Sequence, residues 1–416
     1  MKLRKVMGLA AFLAVYGIGY SADSFGLNEV LERAKTSNPQ VNAQKMNVES
    51  KRELKEKAWK NLVLPPVDLS NEDEWKVVKK YGAGLEEFKV YLPIYAGGKD
   101  LNMYRKSKAQ LGIAEKDSSL VEMAAQEAAV SQYFAALNAR KQIEITNKAI
   151  EALEKQKERV NDLYENGKIV PKSEVLKIEA DIENNKGINL ENKHKESASM
   201  GQLARLLGYS LDSYLDLKDF DPSQYLATKA ALKEENNKKV ENTILGEKEQ
   251  LKLDSASYDV KIAKADLYPV LYTKYTYYYR DVDSRGNIYK RDEDVFELGF
   301  RWVLAWGATL DNVKAREYAY EKAKIEYEDN LKGISLDMKN KLSEIRALYG
   351  KSLAMKKRVD LLQENMEIDN MRYENELLST FDYLNSVNSF REAQEDYYEL
   401  QRGLVLAVIE YENLYR

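Results

Sequence analysis

Residues 143–166 read IEITNKAIEALEKQKERVNDLYEN and residues 352–375 read SLAMKKRVDLLQENMEIDNMRYEN. In the first, Ile143, Thr146, Ile150, Leu153, Lys157, Val160 and Tyr164 fall on alternating three- and four-residue steps, the spacing of a coiled-coil seam. In the second, Ser352, Met355, Val359, Leu362, Met366, Asp369 and Tyr373 fall on the same steps, 209 residues later. The offset also relates Gly98 to Gly307 and Tyr164-Glu165-Asn166 to Tyr373-Glu374-Asn375. A tandem duplication of a long coiled-coil hairpin accounts for this pattern better than a compact enzyme built around one core.

Working away from the seam, the stretch from Lys99 to about Asn166 has no proline and one interior glycine, Gly112. It reads as a single helix on the order of 100 Å long at 1.5 Å per residue. The chain turns at 166–171 and returns as a helix from Ser173 to about Leu207, closed by Gly208. An irregular acidic segment follows, and helix resumes from about Thr228 to Leu267. The second long helix spans about Ala308 to Asn375, turns at 376–380 and returns to Tyr415. Upstream, Leu27 begins a short helix that stops at Asn38-Pro39, and another runs to about Leu62.

Between the helices the period changes to two. Phe88, Val90, Leu92 and Ile94 alternate with Lys89, Tyr91, Pro93 and Tyr95, a half-buried strand whose partner between Val63 and Tyr81 has no clear register. The later copy is a hairpin: tyrosine-rich from Tyr268 to Arg280, polar through Arg285-Gly286-Asn287, and a strand from Val295 to Trp306. There Phe296, Leu298, Phe300 and Trp302 face one way, and Glu297, Gly299 and Arg301 the other. A soluble sandwich would bury that aromatic face, whereas a transmembrane barrel turns it to lipid and lines its lumen with the polar one. The expectation is a lipid-facing strand. About four strands per chain cannot close a barrel, because the smallest use about eight, so this reading demands oligomerisation, most simply a trimer with about twelve strands.

The N-terminus reads as a secretory signal, residues 1–22: Lys2, Arg4 and Lys5 precede an apolar run ending near Tyr20, with Ser21 and Ala22 behind it. Its removal would take the net charge from −4 to −7, which argues against a nucleic-acid partner. With no cysteine there is no thiol nucleophile, disulfide or acylated N-terminal cysteine. The single histidine, His194, lies in a charged helical segment and reads as solvated surface. No metal site, cofactor or catalytic centre is expected, and no phosphate-binding glycine loop appears.

Taken together, Leu27-Asn28-Glu29-Val30-Leu31-Glu32-Arg33-Ala34 with Asn38-Pro39, the Leu92-to-Gly98 strand end, the Tyr164-Glu165-Asn166-Gly167 turn and Leu203-Ala204-Arg205-Leu206-Leu207-Gly208 resemble the TolC-like outer-membrane efflux factors over nearly the whole mature length. The resemblance implies a mainly α fold with a small β part. Duplicated long coiled-coil helical hairpins would form a trimeric α-barrel through the periplasm, and four strands per chain would contribute to a 12-stranded transmembrane β-barrel. It also implies a passive exit duct of a tripartite efflux or type I secretion system, working with a periplasmic adaptor, an inner-membrane transporter and outer-membrane lipid. Two structural repeats follow, 23–208 and 209–416, with β-hairpins at about 63–96 and 268–306.

In that family the hairpin tips face the adaptor and the closed entrance. The corresponding positions are Gly167, Lys168, Ile169 and Val170 in one tip, and Leu377, Leu378, Ser379 and Thr380 in the other. Glu376 stands where the family often has glycine. Glu174 and Asp382 fall near the narrowest part of the tunnel, where a threefold ring of carboxylates would attract cations; Asn385 replaces the family's second acid and weakens that ring. The alternative for both carboxylates is an ordinary solvated helix face. Tyr164 and Tyr373 either latch the closed state through their hydroxyls or simply pack. For the whole chain the competing reading is a periplasmic coiled-coil adaptor or structural spacer. It leaves the duplicated aromatic strands without a purpose.

Overall fold

The computed structural model describes residues 24–64, 67–68, 87–167, 170–211, 213, 215–222, 239–278, 281–282, 288–289, 293–305, 307–375 and 377–416. The expected signal segment, Lys168, Ile169, Glu376, Trp306 and the Arg285-Gly286-Asn287 connection lie outside them. In chain order the elements are β1 (Ser24–Phe25), α1 (Leu27–Ser37), α2 (Pro39–Val63), β2 (Val67–Asp68), β3 (Glu87–Tyr95), α3 (Lys99–Gly167), α4 (Lys172–Leu206) and β4 (Asp216–Leu217). There follow a 3-10 turn (Val240–Asn242), α5 (Ile244–Ala265), β5 (Val270–Tyr278), β6 (Asp281–Val282), β7 (Ile288–Tyr289), β8 (Glu293–Arg301), α6 (Ala308–Glu374) and α7 (Thr380–Leu414). Both long helices are continuous, at 69 and 67 residues.

Helix ends follow local chemistry. Asn38 is held extended (ψ 129°) because a proline follows it, so α1 stops there and Pro39 opens α2, where its missing N–H would have no partner anyway. The Asn38 amide then donates to the Leu206 carbonyl at 3.0 Å, closing the end of α4. Each long helix is entered through a glycine in the left-handed region, Gly98 at φ 75° and Gly307 at φ 96°. Thr228, the expected start of a helix running to Leu267, lies outside the described residues; within them a 3-10 turn at Val240–Asn242 interrupts that stretch and α5 starts at Ile244. Thr243 is extended and its hydroxyl accepts the Gly246 N–H at 3.1 Å, which caps a fresh N-terminus.

By contacts the chain forms two compact units, and each draws on both repeats: 1–38, 125–228 and 348–406 in one, and 39–124, 229–347 and 407–416 in the other. The first is a helical core around Val30, Val130, Tyr133, Ile178, Leu203, Leu207 and Leu404, all fully buried. Within it β1 runs parallel to β4. On α3, Thr146, Leu153 and Val160 are buried; on α4, Val175, Ile178, Ile182, Asn185, Asn189 and Asn192 make a matching three-four stripe. Lys157, an irregularity in the seam, pairs with Glu179 at 2.8 Å. The second-copy seam residues, Ser352 to Tyr373, are each half-buried.

The second unit buries Val41, Val48, Leu111, Ile345 and Val408, of which Val48 and Leu111 share a cluster with Ala114, and contains a four-stranded sheet ordered β2-β3-β5-β8. The partner strand left without a register is β2, where Val67 pairs with Val90 and Asp68 with Lys89. All neighbours are antiparallel. Strand β8 is shorter than its alternation predicts and stops at Arg301, opposite Val270. The preceding residue, Pro269, has no N–H to extend the ladder, so Trp302 lies just past the strand.

Candidate functional site: the hairpin ends and the apolar sheet face

The return helices α4 and α7 begin alike. Glu174 is the third residue of α4 and Asp382 the third of α7, both in a first turn, where the helix dipole favours a carboxylate. Glu174 is half-buried, its N–H donating to the Pro171 carbonyl at 3.0 Å. Asp382 is exposed and takes part in a cap: Ser379 Oγ donates to its carboxylate at 2.7 Å while its N–H donates to the same Oγ at 3.2 Å. Asn385 is exposed one turn further on. Leu377 and Phe381 stand out at 75% and 58% exposed, and Leu378 is half-buried. Thr380 opens α7, Gly167 closes α3, and Val170 packs against the core beside them.

Tyr164 and Tyr373 differ in their surroundings. Tyr164 is half-buried against a cluster of Leu153, Val160, Val175, Ile178, Ile182 and Leu384. Tyr373 is gripped instead: Gln156 of α3 donates to its hydroxyl, and its ring stacks on Tyr383 with centroids 5.0 Å apart and planes 14° from parallel. Arg159 lies 5.9 Å from the same ring and donates to the Glu374 carbonyl at 2.9 Å. Burial raises the Tyr383 phenol above its ordinary value, helped by Glu374 and Tyr373, so it stays neutral. The end of α6 is thus tied to α3 by two hydrogen bonds and joined to α7 by a ring stack. Gln156, Arg159 and Tyr383 carry no signal in the seam pattern, since they flank it.

Beside this contact, α3, α6 and α7 line a groove of about 690 Å³, with Ile145, Ala149, Met366, Val387, Phe390 and Arg391 on its walls. The Arg391 side chain is 9% exposed and pairs with Glu395 at 2.9 Å. Glu144 on the rim is held down at about 2 by hydrogen bonds from Lys141 and Lys148.

In the other unit, the sheet separates its residues by chemistry. Pairing puts Phe300 opposite Leu271, Leu298 opposite Thr273 and Phe296 opposite Tyr275. Phe296, Leu298 and Phe300 are 72%, 75% and 69% exposed, and Trp302 beyond them 53%. On the opposite face Lys274 pairs with Glu297 and Tyr91 packs on Tyr272 at 5.0 Å. The strands β2 and β8 end the sheet. No helix among the described residues is long and apolar enough to cross a membrane, and no cluster of metal-ligating side chains occurs among them.

Residues 247–414 match the family described as outer membrane efflux protein. No curated protein matches the sequence. Among solved structures, the chain is similar to the outer membrane channel CmeC of Campylobacter jejuni, with 17% identity and a TM-score of 0.74 over 94% of this chain and 85% of that one. It is also similar to the outer membrane protein VceC of Vibrio cholerae, at 16% identity and TM-score 0.73 over 93% and 96% of the two chains. With CusC, described in terms of folding and transmembrane channel formation, identity is 12% and the TM-score 0.81 over 97% and 95%. At these identities the likeness is one of fold.

Proposed function

We propose that this chain belongs with the TolC-like outer-membrane efflux proteins and that three copies assemble into a passive outer-membrane duct with a helical periplasmic extension. The observation that carries this reading is the open sheet. An exposed row of phenylalanine and leucine beside a polar row is unfavourable in water but suits a strand between lipid and lumen. Its two edges call for partner strands, and three four-stranded sheets supply about twelve.

The duct performs no chemistry and holds no cofactor; an inner-membrane transporter supplies the energy, through a periplasmic adaptor that meets the hairpin tips. Residues 167–170 and 377–380 are the docking positions, with Leu377 and Phe381 providing apolar surface. The Gln156–Tyr373 and Arg159–Glu374 contacts keep the entrance closed, because α6 cannot leave α3 without breaking both. Glu174 and Asp382, repeated by symmetry, give the constriction its preference for cations.

Single-channel conductance in a planar bilayer tests this, comparing the detergent-purified protein with a Glu174→Ala, Asp382→Ala double variant. Discrete steps that the variant enlarges, or whose cation preference it weakens, are the expected outcome. Steps indifferent to the substitutions remove the acidic constriction and keep the duct. Folded protein that never inserts overturns the duct itself.

A further inference from the structure

We infer that the cleft between the end of α5 and the start of α6 seats one anionic phospholipid, acyl chain in an apolar slot and phosphodiester on lysines. This rests on the membrane reading above. The slot is a hollow of about 370 Å³ lined mainly by Leu267, Trp302, Val303, Leu304, Ala305 and Leu310, with Asp266, paired to Lys99 at 2.7 Å, at its side. Trp302, Val303, Leu304 and Leu310 are each more than half exposed, at 53%, 67%, 69% and 53%. In sequence Trp302, Val303 and Leu304 carry on from the apolar row Phe296, Leu298 and Phe300, with Arg301 between them.

The second hollow, about 790 Å³, is lined by Lys261, Lys264, Lys314, Glu317, Tyr318, Tyr320 and Glu321 among others. It lies about one helical turn farther along both helices: Lys264 precedes Leu267 by three residues and Lys314 follows Leu310 by four. Apolar slot and cationic hollow therefore come in the order of acyl chain and headgroup. Aromatic residues and lysines at the edge of an apolar surface are the side chains that favour the headgroup layer, and Tyr318 is 77% exposed there.

The charges choose among lipids. Lys264 is neutralised by Glu317 at 2.8 Å. Lys261 rests 5.0 Å from the Tyr258 ring, and neither it nor Lys314 makes an ion pair among the described residues. The three lysines outnumber Glu317 and Glu321 in the hollow by one, so a phosphodiester is attracted, whereas a choline headgroup would bring a further cation beside them. The occupant is thus an anionic lipid such as phosphatidylglycerol rather than a zwitterionic one.

Native mass spectrometry of the full-length protein in detergent, titrated with phosphatidylglycerol or phosphatidylcholine, tests the site. Phosphatidylglycerol is expected to bind more tightly. Lys261→Gln and Lys314→Gln should each weaken it by roughly fivefold while leaving phosphatidylcholine unchanged. Lys314→Arg should retain binding, and Lys332→Gln, farther along α6, should do nothing. Leu310→Asn should weaken both lipids; circular dichroism checks that each variant keeps its helices. Equal binding of the two lipids overturns the proposal, as does displacement by inorganic phosphate alone, which would mark a simple phosphate site. Variants that change the oligomer's mass instead of its lipid load also overturn it, because a second copy would then fill the cleft. Channels that insert in bilayers but show no phosphatidylglycerol preference sink this inference alone, whereas protein that never inserts sinks the membrane reading with it.

Discussion

Tyr373 has a hydrogen-bonded hydroxyl and a stacked ring, whereas Tyr164, its counterpart in the other repeat, has a packing cluster. Tyr373→Phe should therefore remove the Gln156 contact, about 1 kcal/mol, and raise the open fraction of channels about fivefold in bilayer recordings. Tyr164→Phe should leave opening unchanged, and an equal effect of the two would remove the assigned difference. Tyr133 answers a different question. It is fully buried and donates to the Lys218 carbonyl at 2.7 Å. Burial, with Asp219 and Glu29 adding to it, pushes its phenol up to about 12. A raised pKa means its contribution is complete below the unfolded value near 10 and is lost as pH rises from there toward 12. Alkaline unfolding of the first unit should steepen in that window, by about 2–3 kcal/mol in all, and Tyr133→Phe should abolish the steepening. Neither environment was legible in the residues alone: Gln156 and Tyr373 are 217 positions apart.

For single elements, the three-four spacing marked the seam of α3 without help, because side-chain direction on a helix is set by its own backbone. The matching stripe on α4 was obscured by three buried asparagines, Asn185, Asn189 and Asn192. Asn189 donates to Asn147 at 2.7 Å, a contact suited to holding two helices in register. Asn185 Oδ1 is buried with no hydrogen-bond partner among the described residues. Asn185→Leu should therefore stabilise the α3–α4 pair by about 1 kcal/mol or more, read as a shift in thermal unfolding. A destabilised variant would mean that an unseen donor satisfies that oxygen. At the base of the sheet, Gly97 has φ 63° and a Cβ there would stand 2.7 Å from the Ala265 carbonyl oxygen. Gly97→Ala should lower stability by about 1–3 kcal/mol and the yield of folded protein with it. Strand β8 shows the limit of alternation as a guide, since its pattern continues past Arg301 but its hydrogen-bonding partner ends at Pro269.

Considering the molecule entire, the proposed trimer makes the two sheet faces unequal. Leu298→Arg should cost about 2–4 kcal/mol per copy in a bilayer and deplete the heat-resistant oligomer in outer-membrane fractions, while Glu297→Gln on the polar face should leave it intact. Depletion by both substitutions would contradict a lumen on that side. Composition, the 209-residue repeat, the turns at Gly98 and Gly307 and the period-two strands were properties of the sequence by itself. Each depends on backbone geometry over a few residues, which the local chain determines. Tertiary structure alone decided that the compact units cut across both repeats, that one tyrosine of an equivalent pair is hydrogen-bonded to a distant helix, and that α5 and α6 bring lysines beside an apolar slot. Those outcomes depend on which distant surfaces pack together, and a duplicated sequence presents the same local pattern to more than one partner.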